Sequence, residues 1–191
     1  MSTLFEARVF ADAGFDDITW AFPIVPSRIA EAVDLAGRIR LGVTVDSPEA
    51  IDLLQSAGSP FRVWLKVDAG YGRAGVTPDA DAALQLADRI DAAPELEFAG
   101  LLSHSGNAYH AASPGHIERI AHEERDALTA LAERIRARGM EVPGLSGGST
   151  PSMAQATDLS GMTEVRPGNY ALYDWTQVAL RSCSLEQCAA T

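Results

Sequence analysis

Short apolar runs alternate with longer amphipathic stretches along nearly the whole chain, and this alternation constrains the fold more than any other feature. Strands are predicted at Ile18–Pro23, Leu41–Asp46, Phe61–Val67, Leu96–Ser103, Val142–Ser146 and Thr163–Val165. Strands that are separated by helices join through right-handed crossovers into a parallel sheet. The pattern therefore predicts an α/β fold.

Helices are predicted between these strands, at about Ser27–Ile39, from Ser47, from Thr77 to about Ala92, and at about Pro114–Arg138; the pattern leaves Tyr170–Ala179 ambiguous. Two of the starts, Ser47-Pro48-Glu49 and Thr77-Pro78-Asp79, combine an N-cap residue, a proline at the first helical position and an early acid. The chain opens with a capping box, Thr3 and Glu6, which predicts that a helix comes first.

Several predicted strands end in polar or glycine-rich segments, and in a (β/α)8 barrel the active site lies at these carboxyl ends. The segments are Val45-Asp46, Asp68–Gly70, Ser103–Gly106, Ser146–Thr150 and Arg166–Asn169. Only six strands are found, and a helix precedes the first of them. We therefore predict an incomplete TIM-type barrel of about six βα units over residues 1–180, in preference to an open sheet of six strands.

Composition excludes several classes of protein. With 47% apolar and 21% charged residues, the chain can form a core. Its net charge of −11 argues against nucleic-acid binding, and no apolar run is long enough to span a membrane. No signal peptide is recognisable. Cys183 and Cys188 are interpreted as two buried thiols in a reducing cytoplasm, although a redox or metal pair is the alternative.

Two glycine-containing turns could bind an anion. Ser146–Pro151 follows a strand, and its glycines would let backbone N–H groups approach a phosphate while the Ser149 and Thr150 hydroxyls donate to it. Arg166–Asn169 offers a second turn on the next strand, and the last strands of a barrel often build a phosphate site. The alternative for a glycine-serine turn is a purely structural role.

The segment Lys66–Val76 is predicted to be a strand end that runs into a tight, ligand-facing loop. Arg73 lies between Gly72 and Gly75, which suggests that it is held against something flat or anionic. An ion pair with Asp68 is the structural alternative. His104 follows a strand, where it is either a satisfied polar residue or part of a site.

The segments Lys66–Gly75, Ser103-His104, Gly147–Thr150 and Thr163–Tyr170 occur in the order found in the pyridoxal-phosphate enzymes with an alanine-racemase-type barrel, and the chain resembles that family. Within the family it is most similar to the D-serine dehydratase and D-threonine aldolase branch. Thr3–Ala7, Ala13–Ile18 and Tyr170–Asp174 also resemble this branch. The resemblance extends to about Ala190.

The resemblance implies a role for each motif. Arg73 would contact the ring oxygen of pyridoxal phosphate, His104 would lie against the pyridine ring, and Arg166 would approach the ring nitrogen. An arginine there would make the cofactor a weaker electron sink than an acid would. The expected phosphate-binding residues are Gly148, Ser149, Thr150, Gly168 and Asn169, and the expected supporting residues are Lys66, Asp68, Tyr109 and Tyr170.

The family's Schiff-base lysine has no counterpart here, because Lys66 is the only lysine and matches one that supports the arginine in some relatives. Without that lysine, the chain is expected to be inactive by itself. Residues 181–191 are interpreted as the start of a truncated C-terminal β-domain. Because that domain carries the metal ligands of this branch, no metal is expected in this chain.

The resemblance therefore implies a fragment of a pyridoxal-phosphate-dependent D-amino-acid lyase, of the D-serine dehydratase or D-threonine aldolase type. Its full-length form would be a cytoplasmic homodimer that acts on a small D-amino acid. One alternative is a non-catalytic module that binds pyridoxal phosphate. Another is a phosphosugar-type barrel enzyme in which Asp46, Asp68 and His104 are acid–base groups.

Overall fold

The structure of the protein is a computed structural model, and it describes residues 1–189. All six predicted strands form, and they pair in sequence order into one parallel sheet. The strands are β1 (Asp17–Pro23), β2 (Arg40–Val45), β3 (Phe61–Lys66), β4 (Leu96–Leu102), β5 (Gly144–Gly147) and β6 (Glu164–Val165). Val45 pairs with Leu65, and Leu65 pairs with Leu101. Neighbouring strands therefore end at the same edge of the sheet.

Helices connect the strands as the alternation predicts. They are α1 (Leu4–Asp12), α2 (Ile29–Ala36), α3 (Pro48–Ala57), α4 (Asp81–Asp91), α5 (Pro114–Arg136), α6 (Thr150–Gln155) and α7 (Trp175–Ala179). The Thr3–Glu6 capping box is present at the start of α1. The ambiguous segment contains a 3-10 turn at Asn169–Ala171, which is followed by α7.

The predicted start of α4 is wrong. Thr77 is not its N-cap: the helix begins at Asp81, after Ala80. The reason is that Val76 still pairs with Val67, and the Val76 N–H donates to the Lys66 carbonyl at 3.0 Å. The chain then turns, with the Ala80 N–H donating to the Thr77 carbonyl, before the helix can begin.

The sheet is curled into an incomplete barrel. Met1 forms a parallel bridge on the outer edge of β1, in which its amino group donates to the Thr19 carbonyl and its carbonyl accepts from the Ala21 N–H. Burial and the charge of Arg166, which follows β6, lower the pKa of this amino group. The Met1 amino group beside β1 and the Arg166 side chain after β6 are therefore near enough for their charges to interact.

The buried apolar residues form one large cluster and two small ones, of which one contains Ala108, Ile117 and Ile120. Val63 and Leu65 pack into the large cluster, which the helices cover, whereas Trp64 lies on the opposite face of β3 with Ala99 and Leu102. Side chains alternate between the faces of a strand, so the Trp64 cluster lies on the inner side of the curl. No helix within residues 1–189 is long and apolar enough to cross a membrane.

Residues 181–189, which the sequence analysis assigned to the start of a β-domain, contain no strand. Leu185–Gln187 is a 3-10 turn, and residues 190–191 lie outside the described part. The assignment of 181–191 to a further domain stays a prediction. Cys183 and Cys188, expected to be buried, are half-buried and unbonded, with their Sγ atoms 3.9 Å apart.

Candidate functional site

The loop that carries Arg73 is fixed by two carboxylates. Oδ1 of Asp68 accepts the N–H groups of Gly70, Tyr71 and Gly72 at 3.1, 2.8 and 2.9 Å. Oδ2 of Asp46 accepts the Gly75 N–H at 3.2 Å. Both acids are thus engaged in shaping the loop, which disfavours the acid–base roles given to them in the phosphosugar alternative.

Arg73 lies between two aromatic rings. Its guanidinium carbon is 5.0 Å from the centre of the Phe22 ring and 4.9 Å from that of Tyr71. Arg73 makes no hydrogen bond or ion pair with any residue in the described part of the chain, so the alternative of an ion pair with Asp68 is wrong. Cation–π contacts orient a guanidinium while leaving its N–H groups free. The side chain is therefore held in place with unused donors.

His104 joins this loop to the glycine-serine turn. Its Nδ1 lies 2.9 Å from the Gly148 carbonyl, and its ring meets the edge of the Tyr71 ring at 6.1 Å. Burial lowers the pKa of His104, and the charges of Arg73, Lys66 and Arg166 lower it further, although the Gly148 hydrogen bond opposes them. The imidazole is accordingly neutral near pH 7, with its proton on Nδ1.

The hydrogen-bond donors that the glycine-serine turn can present to an anion differ from those predicted. Ser149 is fully buried, and its hydroxyl caps α6 by accepting the Ser152 N–H and also contacts the Ser152 hydroxyl at 3.0 Å. The Thr150 hydroxyl accepts the Asn169 N–H at 2.9 Å. Within residues 1–189, the N–H groups of Thr150 and Gly168 have no acceptor. These backbone groups, more than the Ser149 hydroxyl, are available to an anion.

Arg166 lies beneath the same end of the sheet. Its Nε donates to the Ser146 hydroxyl at 2.6 Å, and its guanidinium pairs with Glu164 at 3.1 Å. It also lies over the Trp64 ring, 5.8 Å from its centre. Burial lowers the pKa of Arg166, but a guanidinium stays charged at physiological pH.

Lys66 is buried at the end of β3. Burial, followed by the charges of Arg73 and Arg166, lowers the pKa of its amine to about 8. The charges of Arg73 and Arg166 thus both act on the Lys66 amine. A cluster of positive charge in an acidic protein is a strong attractor of anions.

The structure places three further predicted residues, Tyr109, Asn169 and Tyr170, in 3-10 turns. Tyr109 is half-buried in the 3-10 turn Gly106–His110, and Tyr170 is 59% exposed. The Asn169 side chain donates to Asp174 at 2.8 Å, which ties its turn to the start of α7. The structure thus brings Arg73, His104, the glycine-serine turn and Arg166 to one end of the sheet, and it leaves the Tyr170 side chain exposed.

Sequence reasoning missed three residues. Phe22 and Tyr71 hold Arg73, and Glu124 is a buried acid behind the glycine turn. The signal for Glu124 was present, because it falls on the apolar stripe of α5 between Ile120 and Leu128. Phe22 carried no such signal, since its neighbour Arg73 is distant in the sequence.

The residues present fit an aromatic phosphate. Gly148 has a φ of +102°, and a Cβ there would approach Met153 to 2.8 Å. Its glycine conformation lets the turn expose backbone N–H groups to a phosphate. The free donors of Arg73 and the neutral ring of His104 lie beside it. This set can bind a phosphate and a flat, oxygen-bearing ring together.

Comparisons with known proteins agree with this geometry. The family model described as alanine racemase, N-terminal domain, matches residues 1–174. The solved D-threo-3-hydroxyaspartate dehydratase from Delftia sp. HT23 superposes with a TM-score of 0.89 at 33% identity, over 98% of this chain and 51% of that one. A D-threonine aldolase structure from Filomicrobium marinum gives 0.85 at 30% identity, over 93% and 49%. These matches confirm the incomplete barrel.

Sequence relatives fall into two length classes. The D-serine dehydratase of Dictyostelium discoideum is 34% identical over 202 residues, which cover 97% of this chain and 51% of the relative. The chain therefore spans about half the length of these relatives. An uncharacterized protein of Mycobacterium tuberculosis is 31% identical over 170 residues, but there the match covers 86% of this chain and 95% of the relative.

Proposed function

Because the chain belongs to the alanine racemase N-terminal domain family, we propose that it is the cofactor-holding part of a pyridoxal-phosphate-dependent lyase for D-3-hydroxy amino acids. Relatives named for D-serine, D-threonine and D-threo-3-hydroxyaspartate all match it over about half of their length. These three amino acids share a hydroxyl on the β-carbon. Dehydration and retro-aldol cleavage are the two reactions that the names of these relatives indicate.

One observation carries this proposal: the unpaired Arg73 guanidinium, held between Phe22 and Tyr71, lies beside His104 and the glycine turn. Pyridoxal phosphate, when bound, supplies a conjugated ring that stabilises negative charge on a substrate's α-carbon. Arg73 would donate to the ring oxygen, and neutral His104 would support the ring face. The N–H groups of Thr150 and Gly168 would bind the phosphate.

Arg166 would set the electronic character of the ring. A charged guanidinium can only donate a hydrogen bond to the ring nitrogen, and its charge disfavours a pyridinium beside it, so it would keep that nitrogen unprotonated. Ser146 and Glu164 hold Arg166 from below. Asp68 would act indirectly, by shaping the loop that presents Arg73. Lys66 would add positive charge to the site.

Binding can be tested with pyridoxal phosphate itself, by absorbance and titration calorimetry. We expect saturable binding of one equivalent, weakened about tenfold or more by Arg73→Ala, because hydrogen bonds to charged groups contribute about 1.5–3 kcal/mol. Arg8→Ala is the matched control, since Arg8 is exposed on α1 and also lacks a partner within residues 1–189. A folded sample that binds no cofactor would refute the proposal.

Catalysis is a separate question. With Lys66 as the single lysine, we expect no turnover of D-serine or D-threonine and no stoichiometric lysine adduct after borohydride treatment with pyridoxal phosphate. A specific adduct at Lys66 would show that this residue anchors the cofactor and does not merely support Arg73. Mass spectrometry of the digested protein reads this out directly.

The mycobacterial relative of similar length favours a second candidate function. Since that protein matches over 95% of its own length, half-length members of this group exist, and a non-catalytic cofactor-binding module is a consistent alternative. Both candidates predict binding. They differ on complementation: a lyase fragment should regain activity when the matching N- and C-terminal parts of a relative are fused to it, whereas a degenerate module should not.

Three finer expectations belong to the proposal. The whole protein would be a homodimer, it would act in the cytoplasm, where the unbonded cysteines suit a reducing environment, and any metal would be held outside this chain. The net charge of −11 argues against a nucleic-acid partner.

A further inference from the structure

Gly106 lies two residues after His104 and begins the 3-10 turn Gly106–His110, where it is buried. Its φ lies outside the left-handed region, so the conformation of the backbone does not require glycine at this position. The turn itself could therefore accept a residue with a Cβ. What excludes a side chain here is a neighbour in space, and that neighbour belongs to the site.

The neighbour is Tyr71, from the loop that carries Arg73. A Cβ on Gly106 would lie 2.3 Å from Cε1, 2.5 Å from Cζ and 2.7 Å from Cδ1 of the Tyr71 ring. Carbon atoms in contact are ordinarily about 3.5–4.0 Å apart. One edge of the ring thus occupies the space that a side chain would fill, and only glycine lets it come so close.

The Tyr71 ring contacts both residues that would meet the ring of a ligand. Its centre is 4.9 Å from the guanidinium carbon of Arg73, and 6.1 Å from the centre of the His104 ring, with an interplanar angle of 75°. The cation–π contact orients the guanidinium. A methyl group added at Gly106 would therefore act on Arg73 and His104 through a single side chain.

The backbone on both sides of this contact is fixed. The Gly106 N–H donates to the His104 carbonyl at 2.9 Å, and Ser105 between them is buried. The Ser105 hydroxyl lies 2.8 Å from the Ser152 hydroxyl, which belongs to the cap of α6. The Tyr71 N–H is held at 2.8 Å by the carboxylate that shapes its loop. A clash would therefore be relieved by rotation of the Tyr71 side chain.

We propose that Gly106 is a positioning residue: its bare Cα lets the Tyr71 ring pack against the turn, and this contact fixes the ring against Arg73 and beside His104. The inference rests on the proposed function for the ligand that Arg73 meets. The packing of the three side chains at Gly106 is a property of the protein without ligand.

The first test is a double-mutant cycle of Gly106→Ala and Tyr71→Ala in the protein without ligand. Its readout is the chemical shift of the carbon-bound ring protons of His104, because a nearby aromatic ring shifts such signals; His104→Gln assigns them by their loss. Each single variant should move these signals, and Gly106→Ala should move them no further once Tyr71 is absent. Equal shifts from Gly106→Ala in both backgrounds would overturn the proposal.

The same cycle covers the case in which Gly106→Ala does not fold by itself. Tyr71→Ala removes the ring atoms that the new Cβ would meet, so the double variant should melt as Tyr71→Ala does. A double variant that fails to fold, although Tyr71→Ala folds, would overturn the proposal, because Gly106 would then be needed by the turn and not by the ring.

Gly115→Ala is the matched control. Gly115 is exposed in the first turn of α5, its φ is also outside the left-handed region, and nothing lies within 4 Å of the position of its Cβ. This variant should keep the His104 signals of the wild type. If it moved them as Gly106→Ala does, the effect would not depend on the Tyr71 contact, and the proposal would fail.

A second cycle measures binding, with pyridoxal phosphate as the probe. Gly106→Ala should weaken binding about two- to fivefold, as expected when a cation–π contact no longer orients Arg73, and Gly115→Ala should leave it unchanged. In the Arg73→Ala background, Gly106→Ala should weaken binding less than in the wild type. An equal loss in both backgrounds at an unchanged melting temperature would overturn the proposal.

The two cycles separate this inference from the proposed function. If the wild type binds no pyridoxal phosphate but the His104 signals couple Gly106 to Tyr71, the proposed function fails and the positioning role of Gly106 stands. If the wild type binds pyridoxal phosphate and neither cycle shows coupling, the proposed function stands and this inference fails.

Discussion

Lys66 carries the only ε-amino group of the chain, and its surroundings penalise the charge that this group has in water. Burial, followed by the charges of Arg73 and Arg166, lowers the pKa of the amine from 10.5 to about 8. Between these values the unfolded chain holds a proton that the folded chain has lost, so stability rises with pH. We expect the free energy of unfolding to gain about 3 kcal/mol across this window relative to Lys66→Met.

Urea unfolding at about pH 7.5, 9 and 10 checks this prediction. Differences between wild type and Lys66→Met cancel the titration of tyrosines and cysteines. Arg8→Met, which removes an exposed cation, should keep the wild-type slope. If the free energy of unfolding changed equally with pH in wild type and Lys66→Met, the Lys66 amine would not be desolvated. The evidence that Lys66, Arg73 and Arg166 form a cationic cluster would then fail.

Gly148 and Gly168 test the glycine requirement at single residues. Gly148 has a φ of +102°, whereas Gly168 has an ordinary φ of −84° and open space around the position of a Cβ. We expect Gly148→Ala to destabilise the fold by about 1–2 kcal/mol, mainly through backbone strain because the nearby Met153 end can move. Gly168→Ala should stay within about 0.5 kcal/mol of the wild type in thermal or urea unfolding. Equal effects at both positions would contradict the left-handed conformation of Gly148.

Ser47-Pro48-Glu49 and Thr77-Pro78-Asp79 are similar helix-start signals, but only the first of them begins a helix. The effect of this difference on stability can be measured. Ser47 is an N-cap, and its hydroxyl accepts the Ala50 N–H at 3.2 Å, whereas the Thr77 side chain caps no helix. We expect Ser47→Ala to lower the free energy of unfolding by about 1 kcal/mol, and Thr77→Ala to change it by a few tenths at most. A comparable loss at Thr77 would restore the helix start that the sequence predicted.

The elements were predictable wherever local chemistry determined them. Apolar runs located β2, β3 and β4 because a parallel sheet covered by helices buries both faces of its strands, whereas both residues of β6 are exposed. The helix start predicted at Thr77-Pro78-Asp79 was wrong because Val76 pairs with Val67. This pairing keeps the chain extended up to Val76, so the helix begins later. Tertiary contacts of this kind leave no trace in a local window.

The location of the site was predictable from the sequence, but the atoms that each residue presents to a ligand were not. Polar strand ends placed Arg73, His104 and the glycine turn together, since parallel strands end at one edge. The direction of each donor depended on packing instead. The Ser149 hydroxyl turned inward to cap α6, and Phe22, from the end of β1, supplied one of the two rings that hold Arg73.

At the scale of the whole molecule, a chain with a net charge of −11 places three cations, Lys66, Arg73 and Arg166, at the carboxyl end of its sheet. The acidic surface keeps copies of the chain apart, while the local cluster attracts anions over a short range. The surface also carries apolar side chains that oppose this repulsion. Phe5, Val9 and Phe15 on and after α1 are 76%, 51% and 58% exposed, and Leu172 and Trp175 beside the β6 edge are 62% and 63% exposed.

Exposed apolar surface next to incompletely paired strand edges favours self-association. We expect the chain to associate with increasing concentration in sedimentation or light-scattering measurements, more strongly at high salt, where the repulsion between acidic surfaces is screened. Phe5→Glu with Val9→Lys should weaken the association, because charges would replace the apolar face of α1. Gln55→Lys, an exposed polar position on α3, is the control and should leave it unchanged. A monodisperse monomer at high protein concentration and high salt, with cooperative unfolding, would contradict this prediction. It would show that the six strands form a stable unit by themselves. Only the greater length of the relatives would then indicate that the barrel is incomplete.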